Sequence, residues 1–215
     1  MPTFKRTPTE AAHEAAFNRA GAPQPTPTPT PRRGPTAPLQ GDYLSRFQEL
    51  HEREQYWFGE PTLGELSQLV SQFEHPLGIC CPMLGQYIED KGHKPLTVLD
   101  IDDRFHDRPW CHPFNLWRPT TINFHPDLIV IDPPFTIVRL DTLWKAIRLL
   151  TDFSTPLIIS WPKAREIALL ATFRQYNLQS TGVRPHYVSA PHLNVEFYAT
   201  PGEHMKVLSP GTRAP

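Results

Sequence analysis

The chain has almost no net charge. Its 21 lysines and arginines face 22 aspartates and glutamates, for a net charge of -1 over 215 residues. A dedicated nucleic-acid binder usually carries a basic excess. A nucleic-acid target would therefore call for a local basic patch or a partner subunit, whereas a protein target would not. Cysteine is also scarce, limited to Cys80, Cys81 and Cys111. An odd count with two adjacent members argues against a disulfide framework and for a reducing compartment, cytoplasmic or nuclear. The spacing of Cys80, Cys81 and Cys111-His112 fits no closed zinc pattern, so no metal is expected. No apolar run approaches the ~20 residues of a membrane span. The N-terminus lacks the apolar stretch of a secretory signal, so no membrane association is expected.

Proline, by contrast, is abundant. Between Pro23 and Pro38 it alternates with threonine and then meets Arg32, Arg33 and Gly34. Such a segment has too few apolar residues for a core and favours extended polyproline II. Residues 1–40 are expected to be a disordered Pro/Thr-rich tail. It is either simply solvated or a tether with weak RNA contacts through Lys5, Arg6, Arg32 and Arg33. Residues 41–203 are expected to form one α/β domain with N-terminal helices, and 204–215 a flexible tail.

Within the domain, Tyr43, Phe47, Leu50 and Tyr56 or Trp57 recur at roughly helical spacing, which predicts a helix of about four turns from Asp42 to Gly59. A second helix is expected over Thr62 to Phe73. Strands and helices then alternate: strands at Leu77–Cys81, Leu96–Ile101, Cys111–Leu116, Asp127–Ile131 and Leu157–Ser160, helices at Met83–Lys91, Leu140–Phe153 and Lys163–Tyr176. Two last strands, Thr181–Val188 and Asn194–Thr200, are expected as an antiparallel pair at the sheet edge. This order implies a doubly wound, largely parallel sheet of about seven strands with helices on both faces. Ligands of such sheets bind beyond the carboxyl ends of the strands, near the reversal in strand order.

Two segments there carry chemistry. Leu99-Asp100-Ile101-Asp102 places acids at the carboxyl end of a strand, where a carboxylate can accept the hydroxyl hydrogens of a ribose. Asp102 is the preferred acceptor because it follows the last apolar residue; otherwise it caps the loop. Asp132-Pro133-Pro134-Phe135 follows the apolar strand Leu128–Ile131. Two prolines fix φ and remove two backbone donors, so nearby carbonyls are free to accept hydrogens from a ligand's amino group. Asp132 adds a carboxylate, and Phe135 an aromatic face. The set suits a nitrogen that donates its hydrogens while its lone pair attacks a methyl group. The bland alternative is a rigid turn with a capping Asp. Trp57, Phe58 and Trp161 either wall an acceptor pocket or belong to the core. His186 and His192 read as loop histidines. Lys163, Arg165, Arg139 and Arg184 are the candidates for a basic rim.

These residues resemble the N6-adenine-methyltransferase-like family of class I methyltransferases, over roughly Gln55 to Tyr198. Gln55-Tyr56-Trp57-Phe58, Asp102-Asp103-Arg104-Phe105 and Asn194-Val195-Glu196-Phe197 are similar to segments of a branch that methylates a lysine of elongation factor 1-alpha, the last with one residue inserted. Leu99 to Asp102, Cys111-His112 followed by Asn115, and Ile158 to Pro162 resemble a zinc-finger-bearing branch that methylates an adenine of ribosomal RNA. Asp132 to Phe135 matches that branch residue for residue, but its zinc modules are missing here. The resemblance implies a Rossmann-like class I methyltransferase fold and S-adenosylmethionine as cofactor. It implies cofactor contacts from Cys81, Pro82, Asp100, Asp102, Asn115 and Asp132, catalysis by Asp132, Pro133, Pro134 and Phe135, and substrate contacts from Trp57, Phe58, Phe135, Trp161 and Asn194. The acceptor implied first is adenine N6 in RNA or DNA; the alternatives are a protein lysine, or no acceptor at all if the chain is a non-catalytic partner subunit. Like the family, the chain has Cys80-Cys81-Pro82-Met83 rather than a Gly-x-Gly turn after its first strand.

Overall fold

The computed structural model describes residues 47–202 and Leu208. The expected tail at 1–40, the start of the helix expected from Asp42 and, apart from Leu208, the expected tail at 204–215 lie outside these residues.

A seven-stranded sheet organises the chain. Its strands are β1 (Pro76–Ile79), β2 (Thr97–Asp100), β3 (Cys111–Pro113), β4 (Leu128–Ile131), β5 (Leu157–Pro162), β6 (Gln179–Ser180) and β7 (Val195–Ala199). The spatial order is β3-β2-β1-β4-β5-β7-β6. The first five strands are parallel, and β7 runs antiparallel to both β5 and β6. The helices are α1 (Glu60–Val70), α2 (Pro82–Asp90), α3 (Leu140–Leu150) and α4 (Glu166–Thr172). From β1 the chain proceeds through α2 outward to β2, and from β4 through α3 outward the other way to β5. Right-handed crossovers in opposite directions put those two helices on opposite faces of the sheet. The centre is accordingly apolar on both sides: all four residues of β1 and of β4 are buried. In α3, Leu143, Ala146, Ile147 and Leu150 are the buried face, at the i, i+3, i+4, i+7 spacing of one helical stripe. Pro61 and Pro82 sit in the first turns of α1 and α2, where a missing N–H costs nothing.

Three expected elements are corrected. The long helix before Gly59 is absent from the described part of that segment, which holds only a single 3-10 turn at His51–Arg53, closed by Glu54 at φ 51. Phe47 stacks on Phe105 at 4.5 Å, and Trp57 meets the same ring edge-on at 6.3 Å. Residues ten apart on an α-helix stand about 15 Å apart, so they can share one ring only if the chain doubles back. The strand expected at Thr181–Val188 is replaced by the two-residue β6 and a loop. Gly182 turns the chain at φ 71, and Pro185 has no donor for a ladder. The helix expected at Lys163–Tyr176 is broken into 3-10 turns at Lys163–Arg165 and Arg174–Tyr176 flanking the short α4.

Gly85, inside α2, shows how tightly that helix lies on the sheet. A Cβ there would stand 2.5 and 2.6 Å from carbons of the Trp110 ring and 2.9 Å from a methyl of Val98. Alanine gains ~1 kcal/mol over glycine in a free helix, but overpacking of this kind costs roughly 1–3 kcal/mol. Gly85→Ala is expected to lower the urea midpoint; an unchanged or raised midpoint would mean that Trp110 moves aside freely.

Candidate active site

The carboxyl ends of β1, β2, β4 and β5 open at one edge of the sheet, and the strand order reverses between β1 and β4. Ligands of open α/β sheets bind at that crevice. At its floor β1 gives way to Cys80, in the left-handed region at φ 58, whose N–H donates to Leu99 O at 3.0 Å. Glycine usually takes this conformation; a side chain costs roughly 1–2 kcal/mol there. The tight turn of a glycine-rich loop is thus made here by cysteine. Burial, then the nearby Asp100 and Asp132 charges, push the Cys80 thiol well up, so it stays neutral. Cys81 turns inward, its thiol 3.8 Å from Val130 O, and Pro82 is buried. What Cys81 and Pro82 offer the crevice is backbone rather than side chains. Among the described residues, no group of three or more His, Cys, Asp or Glu is arranged to hold a metal ion.

The acids after β2 divide the roles differently from the sequence reading. Asp102 is fully buried, and both of its oxygens are occupied. Oδ1 accepts from the Arg104 N–H and Nε, and Oδ2 from Gln55 Nε2 at 2.8 Å and Arg104 NH2 at 2.6 Å. Burial works against its charge, but the hydrogen bonds of Arg104 and Gln55 outweigh it and hold the carboxyl below the usual range. Asp102 is therefore a clamp, not the open ribose acceptor expected of it. Asp100 is the less heavily bonded acid. Its Oδ1 accepts the Asp102 N–H at 2.7 Å, and the Ile101 N–H and the Arg104 charge also favour its ionised form. Burial raises it to about 7. Asn115 follows β3 beside this pair: the Phe114 N–H donates to Asp100 O at 2.9 Å, and Asn115 Oδ1 accepts from the Trp117 N–H.

After β4, the Asp132 N–H donates to Ile79 O, which ties the tetrad to β1. Asp132 Oδ1 accepts from Tyr187 Oη at 2.7 Å and from Ser160 Oγ, while Oδ2 accepts from no described residue. Burial raises this carboxyl to about 7, against the pull of the two hydroxyls. The carbonyls of the tetrad are unequal. Pro134 O accepts the Val138 N–H at 3.0 Å, and Phe135 O accepts Arg165 NH1. Pro133 O has no partner among the described residues. Beyond the tetrad, the Glu54 carboxylate receives the N–H groups of Thr136 and Ile137 at 2.6 and 3.2 Å. Segment 47–59 thus holds both halves of the site, Asp102–Arg104 through Gln55 and the tetrad through Glu54.

The expected aromatic wall is corrected. Trp57, Phe58 and Trp161 are 4%, 3% and 0% exposed, and Phe135 6%. Trp57 lies between Phe105 and the Arg104 guanidinium, and Phe58 packs on Tyr187 and Phe197. Trp161 is inside β5, its face under Arg165 and its ring edge-on to Phe135. The basic rim is mostly spent as well. Lys163 pairs with Glu166 and Glu196, Arg139 with Asp141, and Arg165 with Phe135 O. Arg184, His186 and His192 are exposed on loop 181–194. Asn194 is exposed where β7 begins, beside the end of β5, and its carbonyl accepts the Lys163 N–H. The sequence reading missed Ser160, Tyr187 and Glu54. Ser160 lies within the Ile158–Pro162 segment but Tyr187 and Glu54 lie in no motif, and only the pairing of β4 with β5 and the path of two loops bring the three to the tetrad.

A protein-family model described as "Probable N6-adenine methyltransferase" matches residues 49–206. No curated protein matches the chain. Among solved structures, it is similar to mitomycin 7-O-methyltransferase MmcR, at 12% identity over 66% of this chain and 54% of that one, with a TM-score of 0.39. It is also similar to an S-adenosylmethionine-dependent methyltransferase from Clostridium acetobutylicum ATCC 824 (13% identity, 50% and 54%, TM-score 0.34). The PH0226 protein from Pyrococcus horikoshii OT3 is another such structure (14%, 69% and 79%, 0.34). The matched part spans about half the length of the first two. Overlaps this loose transfer no activity. Among the described residues, no helix is long and apolar enough to cross a membrane.

Asp100 and Asp132 make stability depend on pH. Each has its folded value raised from 3.8 to about 7. Between those values the unfolded chain has already released protons that the folded chain keeps, so stability falls as pH rises through this window. Urea midpoints should drop between about pH 4 and about pH 7, and Asp132→Asn should flatten part of that slope. A slope that Asp132→Asn leaves untouched would show that Asp132 ionises normally.

Proposed function

This chain belongs to the family described as probable N6-adenine methyltransferase, and on that premise we propose that it is an S-adenosylmethionine-dependent N-methyltransferase acting on adenine N6 in RNA or DNA. The observation that carries this reading is the pair of open acceptors on the tetrad, Asp132 Oδ2 and Pro133 O. The carbonyls of Pro134 and Phe135 are already occupied. An exocyclic amino group has two hydrogens, and these two acceptors suit both.

The residues present fit the cofactor. Asp100, at the end of β2, carries a carboxylate that would accept ribose hydroxyls, and Asn115 stands just past the end of the next strand. The turn at Cys80 brings backbone close to the crevice. Asp102 supports this set from behind, and the backbone at Cys81 and Pro82 completes the floor. When bound, S-adenosylmethionine supplies an electrophilic methyl group, and the protein's part is alignment and hydrogen bonding. Asp132 Oδ2 and Pro133 O hold the amino hydrogens and so orient the nitrogen lone pair. Asp132 Oδ2 can then take the proton that leaves the nitrogen. Phe135, backed edge-on by Trp161, closes one side. A base in a duplex would have to leave the stack to reach this depth. Because the expected basic side chains are largely paired within the chain, the positive surface for a nucleic acid falls to Arg184 and a partner subunit.

A protein-lysine acceptor is the weaker reading. It calls for a channel walled by Trp57, Phe58, Phe135 and Trp161, and these rings pack against one another and the core. The test is incubation with methyl-tritiated S-adenosylmethionine and, separately, total RNA, genomic DNA and a protein extract. Label is expected in nucleic acid, recovered as N6-methyladenine, and reduced by about a hundredfold or more in Asp132→Ala. Label recovered only on lysine would overturn the acceptor, and no label anywhere would favour a non-catalytic subunit.

A further inference from the structure

We propose that Ser160 and Tyr187 are positioning residues that clasp one oxygen of Asp132 and thereby aim the other at the substrate's amino group. The proposal rests on the methyl-transfer reading above, but the clasp itself can be tested without it.

Both hydroxyls converge on Asp132 Oδ1, and Ser160 Oγ also lies 3.3 Å from Ile131 O. Ser160 comes from β5. Ile131 pairs with Ile159, so the next residues along the two parallel strands, Asp132 and Ser160, stand side by side. Tyr187 comes from loop 181–194, far along the chain. Three consecutive residues fasten that loop. The His186 N–H donates to Thr62 Oγ1 at 2.8 Å, and its carbonyl accepts the Gly59 N–H at 2.7 Å. Tyr187 forms a bridge with Phe58 and packs on its ring, and the Val188 N–H donates to Trp57 O at 2.9 Å. A side chain at position 59 would collide with the His186 ring at 2.1 Å, so the approach is close as well as bonded.

Ser160 and Tyr187 are 0% and 1% exposed. Neither is open to touch a substrate; what they touch is the acceptor. The torsion that turns a carboxylate about its own axis is soft and two-fold. Two donors on the same oxygen remove that freedom, and a site pre-set in this way loses nothing to rearrangement when the substrate binds. The charge of Asp132 has no other support nearby. The groups facing it are the Cys80 and Cys81 thiols from the turn after β1 and the Tyr187 phenol, and burial pushes all three well above their usual values. With no cation against it among the described residues, the carboxylate depends on its two hydroxyl donors.

The experiment uses Tyr187→Phe, which removes one oxygen and keeps the ring, and Ser160→Ala, singly and together, in the full chain. The first readout is the carbon-13 titration of the Asp132 carboxyl, assigned by its loss in Asp132→Asn. Each single variant should move the midpoint upward from about 7, and the double variant further. The second readout is methyl transfer to total RNA. The rate at saturation should fall about ten- to a hundredfold in Tyr187→Phe, the cost of one hydrogen bond to a charged group, with the rising limb of its pH profile displaced upward and KM little changed. Midpoints that stay at the wild-type value overturn the clasp outright. An active wild type whose variants keep its rate and pH profile also overturns it. An inactive wild type with displaced midpoints sinks the methyl-transfer reading and leaves the clasp standing.

Discussion

Two carboxyl groups, Asp100 and Asp132, stand at the ends of strands on either side of β1, where desolvation makes ionisation costly. Asp132 spends Oδ1 on Ser160 and Tyr187, and Asp100 spends Oδ1 on the Asp102 N–H. A carboxylate shielded from water and not fully hydrogen-bonded is a standing penalty in a folded protein. It persists where something else makes use of it, and perturbed carboxyls in a crevice are a signature of functional sites. Asp102 makes the contrast. It is saturated by Arg104 and Gln55 and held as an ion. The three acids at the ends of β2 and β4 thus differ: Asp102 is a structural clamp, whereas burial raises Asp100 and Asp132 to about 7.

Segment 47–59 keeps that division in place. It has no regular structure beyond a single turn, yet its polar side chains reach both sides of the crevice. Gln55 completes the Asp102–Arg104 clamp, Glu54 caps the chain leaving the tetrad, and Trp57 and Phe58 anchor the loop that delivers Tyr187. Arg104 NH1 in turn donates to Gln48 O at 2.7 Å, closing the circuit back onto the segment. The segment works as a strap across the carboxyl edge, and its irregular backbone follows from having to place consecutive side chains on unrelated targets.

Much of the fold was legible from pattern. The all-apolar run Leu128–Ile131 reads as a central strand and is one, and the stripe Leu143, Trp144, Ile147 and Leu150 reads as a helix face, of which Trp144 is only half-buried and the others are buried. The same pattern misled over its described part, 47–59, where aromatic spacing that imitates a helix instead serves a strap, because Phe47 and Trp57 are drawn to one ring by tertiary packing. The tetrad and the acids after β2 were visible because a strand end followed by Asp or Pro-Pro is a local signal. Which of Asp100 and Asp102 is the clamp was not, because that depends on Gln55 and Arg104 folding onto one of them. Ser160 and Tyr187 were invisible for the same reason: an isolated Ser on a buried strand and a Tyr in a loop have no pattern, and only strand register and loop path bring them together.

The proposed reading puts S-adenosylmethionine in the crevice beside β1, with the Asp100 carboxylate as its ribose acceptor and Asp102 acting from behind. Calorimetric titration of S-adenosylmethionine into the wild type and into Asp100→Ala, with folding of both confirmed by circular dichroism, tests it most directly. The account predicts micromolar binding to the wild type and a loss of at least about tenfold in the variant, the worth of a charge-assisted hydrogen bond. Equal affinity in the two proteins, or no binding by the folded wild type, would contradict it.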